Sequence, residues 1–142
     1  MRQGAVKAVA ATLAAGMVLT GCIALSPENK MRRLDNSIEK YSKLIRWGEY
    51  ERAIVFLEPA NQQAAYAEIK SFKDIRVTSY EMKQLKIAKD ENSADAMVEF
   101  TYFHEFSGRE RTMIDKQHWE WHDDEGNWRL RGTLPRMEVV KR

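Results

Sequence analysis

The stretch Ala96-Met97-Val98-Glu99-Phe100-Thr101-Tyr102-Phe103-His104-Glu105-Phe106 decides the fold. Its even positions carry Ala96, Val98, Phe100, Tyr102, His104 and Phe106, an apolar series of period two that marks one buried face of a β-strand. The flanking segments keep this period. Upstream, a strand over about 74–89 places Ile75 and Val77, then Tyr80 and Met82, then Leu85 and Ile87; the phase slips twice, which predicts a bulge or strong bend. Downstream, Met113, Asp115, Gln117, Trp119 and Trp121 share one face, and Ile114, Lys116, His118, Glu120 and His122 share the other. Turn signals at Asp90-Glu91-Asn92-Ser93, Ser107-Gly108 and 123–127 separate these strands, and Trp128 and Leu130 begin a fourth.

Parity tests whether the strands form one sheet. Two-residue loops at Glu91-Asn92 and Ser107-Gly108 would set Ile87 opposite Ala96, Tyr102 opposite Met113, Phe100 opposite Asp115 and His104 opposite Arg111. The same logic puts Trp128 and Leu130 on the Trp119 face. Three hairpins agree on one apolar face, so an antiparallel meander is expected.

The residues before this sheet have helical spacing. Ser26-Pro27 reads as an N-cap with proline at the first helical position, and Met31, Leu34, Ile38, Tyr41 and Ile45 form an apolar stripe that Gly48 ends. A second helix is expected over 49–58 with Pro59 as its stop. A third is expected from Asn61 to about Lys70, packing Ala65, Ile69 and either Tyr66 or Phe72. Helices on one side of a bent antiparallel sheet make an α+β domain. Trp47-Gly48-Glu49-Tyr50 to Leu57, Trp119-x-Trp121 and Gly126-Asn127-Trp128-Arg129-Leu130 resemble the cystatin-like cone of the nuclear transport factor 2-like superfamily over 31–133. The tail, 134–142 with Pro135, is either a final strand or a loose end.

Arg2 and Lys7 precede an apolar run over 8–19, and no acidic residue occurs before Glu28. That is the layout of a secretory signal, too short for a permanent span. Leu19-Thr20-Gly21-Cys22 resembles the bacterial lipobox, which implies cleavage after residue 21 and acylation of Cys22 with palmitate-type chains. The chain then divides into a signal peptide (1–21), a lipidated N-terminus and short tether (22–30), one α+β domain (31–133) and the tail. More than one acyl chain is needed for firm anchoring, since each buried methylene contributes ~0.8 kcal/mol. Of 23 basic residues, Arg2 and Lys7 fall in the leader, leaving 21 against 21 acidic ones. A neutral mature chain gives no support for nucleic-acid binding. Cys22 is the sole cysteine, so its acylation leaves no thiol for a disulfide or a nucleophile.

Enzyme motifs are scarce. There is no Gly-rich phosphate loop and no nucleophile elbow. His118-x-Glu120-x-His122 puts three ligand types on one strand face, but the end histidines stand ~13 Å apart at ~3.3 Å per residue, too far for one ion. We expect a solvated face there, with no metal and no cofactor. On the apolar face, Tyr102, His104, Asp115, Gln117 and Trp119 would line a pocket, and His104 and Asp115 are the weak catalytic candidates. They would be too far apart for a dyad, since Asp115 lies four residues beyond the partner of His104.

The leading expectation is a non-catalytic envelope lipoprotein, bound to the bilayer through acylated Cys22, whose domain binds a partner protein or small ligand. Ile23 is not the aspartate associated with inner-membrane retention in lipoproteins, which implies the outer membrane facing the periplasm. The alternative is an isomerase- or dehydratase-like enzyme with a general base in the cone. A third reading is an accessory of a larger envelope assembly, joined through a sheet edge or helix face.

Overall fold

The long apolar stripe forms the first helix. In a computed structural model describing residues 26–138, α1 spans Pro27–Arg46, with Ser26 as N-cap and Trp47 as C-cap. Gly48 follows at φ +70°, a conformation that costs glycine little. Leu34, Ile38, Tyr41 and Ile45 are buried along one face. Leu19, Thr20, Gly21, Cys22 and residues 139–142 lie outside the described residues, and no helix among those described is long and apolar enough to cross a membrane.

The second helix is shorter than its spacing predicts. α2 covers only Tyr50–Ile54. The chain then extends: Leu130 N–H donates to Phe56 O at 2.8 Å, Glu58 N–H donates to Leu130 O at 3.0 Å, and Leu57 bridges Leu130 in parallel. Pro59 does not stop α2; it starts α3, Pro59–Glu68, where a missing N–H costs nothing. A 3₁₀ turn, Ile69–Phe72, follows. Phe72, not Tyr66, supplies the buried aromatic, its ring tilted 44° against that of Tyr50 at 5.1 Å between centroids.

Four strands, β1 (Ile75–Ile87), β2 (Ser93–His104), β3 (Glu110–His122) and β4 (Asn127–Arg131), form one antiparallel sheet in chain order. The two phase slips are two irregularities in the β1–β2 ladder, between Val77 and Ser79 and between Met82 and Gln84. Each shifts the pairing by one residue, so Ile75, Val77, Tyr80, Leu85 and their partners keep one facing direction while the strand bends.

Register differs from expectation by two residues at the first two turns. Ile87 pairs with Ala94, Phe100 with Met113, Val98 with Asp115, and Tyr102 with Arg111. The cause is loop length. After His104 the chain turns through Ser107 and Gly108, whose N–H groups both donate to His104 O, and Phe106 falls in this turn, 41% exposed. A shift of two preserves parity, so every inward residue stays inward. Trp119 pairs with Leu130 and Trp121 with Trp128, on the side covered by α1. Trp128 Nε1 donates to Lys30 O at 2.9 Å, fastening β4 to the helix.

Candidate functional site

The inner face of β3 carries a line of polar groups that is almost closed to water. Trp119 Nε1 donates to Gln117 Oε1 at 3.0 Å, and Gln117 Nε2 donates to Asp115 Oδ2 at 2.9 Å. Strand alternation puts all three on one side. Asp115 is 9% exposed, and burial pushes its carboxyl up to about 6 although the Gln117 hydrogen bond works the other way. A carboxyl of that kind holds or takes a proton near neutral pH.

Access to Asp115 comes from the shortness of β4. That strand covers only His118 to His122 of β3, and at Gly132, φ +146°, the chain leaves the sheet. The gap is a cleft of about 340 Å³ lined by Met113, Asp115, Gln117, Leu130, Thr133 and Leu134 among others.

Tyr41 of α1 faces the same interior. Its ring meets Trp119 edge-on at 5.9 Å, and its hydroxyl is buried with no hydrogen-bond partner. Burial raises the phenol well above its ordinary range, and the charge of Asp115 adds to the effect. The sequence marks Tyr41 only as a stripe residue. A tyrosine in an otherwise aliphatic stripe is the one available signal, because it brings a hydroxyl into the core.

The other pocket residues are buried but serve the tail. His104 Nε2 donates to Glu138 O at 2.5 Å, Tyr102 Oη accepts from Glu138 N–H at 3.0 Å, and Arg111 pairs with Glu138. Leu134 and Met137 are buried beneath this crossing, so residues 132–138 are an irregular strap and not a strand. His104 and Asp115 are further apart than expected, since Asp115 pairs with Val98, six residues from His104. At ~3.3 Å per residue that is ~20 Å, and no dyad forms. Tyr102 lines a separate cleft with Arg109, Arg111 and Arg136, while Trp119 is closed in by Tyr41 and Phe56.

The outer face of β3 carries His118, Glu120 and His122. His118 Nδ1 lies 2.6 Å from Asp95 and its Nε2 lies 3.3 Å from Glu120. The hydrogen bond to Asp95 is the main influence holding the His118 imidazolium pKa above its ordinary value, against partial burial. His122 turns instead toward Glu58 of the extended segment, which sequence spacing does not reveal. Parity separates this group from Asp115, so it is no part of the cleft.

No protein-family model matches the chain, and no curated protein matches it. Solved structures do. A ketosteroid isomerase-like protein from Erwinia carotovora atroseptica matches at 12% identity and a TM-score of 0.57, covering 72% of this chain and 92% of that one. A protein described as a polyketide cyclase from Xanthomonas campestris pv. campestris matches at 10% identity and a TM-score of 0.52, covering 74% and 93%. At such identities the likeness concerns fold alone: helices packed on an open antiparallel sheet, the nuclear transport factor 2-like, cystatin-like α+β fold.

Proposed function

We propose that the domain takes a small ligand into the cleft beside Asp115 and moves a proton on it, the isomerase- or dehydratase-like alternative. The observation that carries this is the Asp115 carboxyl itself, buried, raised to about 6 and bordering a cleft. As carboxylate it is the general base, Gln117 orients it, and the unpartnered Tyr41 hydroxyl is a hydrogen-bond donor in the same interior. The two similar structures, one of a ketosteroid isomerase-like protein and one of a protein described as a polyketide cyclase, are compatible with proton transfer on this fold.

The test is exchange of carbon-bound protons in deuterated buffer across a panel of small carbonyl compounds, followed by NMR. Exchange should rise with pH through about 6 and vanish in Asp115→Asn. Failure of the folded wild-type protein to accelerate exchange of any compound would reject the enzymatic reading. The non-catalytic reading would then stand, with the same cleft binding a ligand or partner. It draws support from the strap of residues 132–138, which buries Leu134 and Met137 and is held by Tyr102.

We further propose that Cys22 is acylated and holds the domain at the outer membrane, facing the periplasm. The support is Leu19-Thr20-Gly21-Cys22 at the end of the apolar leader, and α1 starting at Pro27, which leaves a short tether. Cys22→Ser should release the protein from membranes, and retention through detergent-sensitive lipid would overturn the anchor. Sucrose-gradient fractions should follow outer-membrane markers; co-sedimentation with inner-membrane markers would refute that placement.

A further inference from the structure

Residues 56–58 run beside β4, and this brings Glu58 to the outer face of the sheet near Glu120 and His122 of β3. One ligand atom of each lies within 4.8 Å of the other two, and His122 Nε2 stands 3.9 Å from Glu58 Oε1. These three groups are accounted for poorly by the protein alone. The Glu58 and Glu120 carboxyls face one another within 4.8 Å, a pairing of acidic groups that a proton or a cation between them would relieve. His122 Nε2 is shielded from solvent and has no hydrogen-bond partner. Asn127, the register partner of His122, also leaves its Oδ1 buried and unpartnered.

The nearby arginines leave Glu58 and His122 without a cation, and Arg131 reaches only one oxygen of Glu120. Arg129, opposite Glu120 in register, is turned away: its Nε and Nη2 bind Glu125 and its Nη1 binds Val55 O. Arg131 and His118 both approach Glu120 through Oε1, at 2.9 and 3.3 Å, leaving Oε2 outside these contacts. They act as outer partners that orient the carboxylate.

We propose that Glu58, Glu120 and His122 bind one divalent transition-metal ion of the zinc type. One imidazole with two carboxylates suits zinc better than calcium, which takes 6–8 oxygens. Around a tetrahedral zinc with bonds of ~2.0–2.2 Å, ligand atoms sit ~3.3–3.6 Å apart, so small rotations of these half-buried side chains close the site. The fourth position goes to water or to Asn127 Oδ1. The ion would clamp the extended segment to β3 across β4. The site lies on the opposite face from Asp115 and is independent of the proton-transfer reading.

Cobalt(II) is the probe, titrated into the purified full-length chain and followed by its visible absorption, with zinc displacing it. One equivalent should bind, and zinc should raise the melting temperature. His122→Ala and Glu58→Gln should each weaken binding by about 100-fold, and Arg131→Ala by about tenfold, in the range of an outer-shell partner. His118→Ala should leave one equivalent bound. Wild type without saturable binding would overturn the proposal, as would unchanged affinity in Glu58→Gln, a variant not expected to disturb folding. Loss in His118→Ala with retention in His122→Ala would also overturn it, by moving the ion to Asp95 and His118.

Discussion

The two faces of β3 treat the same kinds of side chain in opposite ways. On the inner face, Asp115 and Gln117 have one another, Trp119 and little water; on the outer face, Glu120 and His118 have charged neighbours and solvent. The carboxyl of Asp115 is raised, whereas that of Glu120 is lowered: its partial burial would raise it, and Arg131 and His118 more than offset that. Two acidic residues five positions apart on one strand thus take opposite characters by parity alone. The inner acid costs stability and gains reactivity, and the outer one is an ordinary partner of cations.

The harshest way to break the contrast is Trp119→Ala. It removes a fully buried indole packed on Tyr41 and Phe56 and the donor to Gln117, and should cost about 3–5 kcal/mol in urea unfolding. Asp115→Asn should act in the other direction. A native pKa of about 6 against 3.8 means that the folded chain retains a proton the unfolded chain has released. Stability therefore falls as pH rises between these values and is flat above them. Removing the charge should stabilise the protein at pH 7, by on the order of 3 kcal/mol, and erase that slope in melts at pH 4–7. If wild type and variant show the same slope, Asp115 is not raised.

Gln117→Leu sharpens the comparison. It deprives the buried carboxylate of its donor, should cost about 1–3 kcal/mol at neutral pH, and should move the Asp115 titration, read by NMR, further up. On the outer face, His118→Ala should cost less than about 1 kcal/mol, since its ion pairs are half-exposed. The raised His118 pKa makes this small contribution present in mild acid and lost as pH rises through its folded value. A loss that instead grows toward alkaline pH would show that packing, not charge, is what His118 supplies.

Parity explains which parts of the molecule were legible in the sequence. Alternation assigned Val98, Phe100, Tyr102, Trp119, Trp128 and Leu130 to one face, and the double slip in β1 foretold two register shifts, because both depend on periods local to a strand. Absolute register was not legible. It depends on turns such as Ser107-Gly108, whose hydrogen bonds to His104 lengthen the loop without changing parity. Helical spacing continued through Leu57, yet the pairing of Phe56 and Glu58 with Leu130 ended α2 early, a tertiary contact overriding local preference. The convergence of Glu58 on His122 follows from that same departure. So does the strap on Tyr102 and His104, since neither contact is encoded in spacing.

The bends in β1 bear on how copies of this protein behave when crowded. β1 is an outer strand of the sheet, and such a strand offers unpaired backbone groups to any other extended chain. Its two register shifts, with Lys83 and Lys86 along it, interrupt the straight row of donors and acceptors that a second strand would need. At the opposite flank, residues 56–58 occupy β4. The irregularities that curve the sheet around its core therefore also make it a poor template for growth into fibrils.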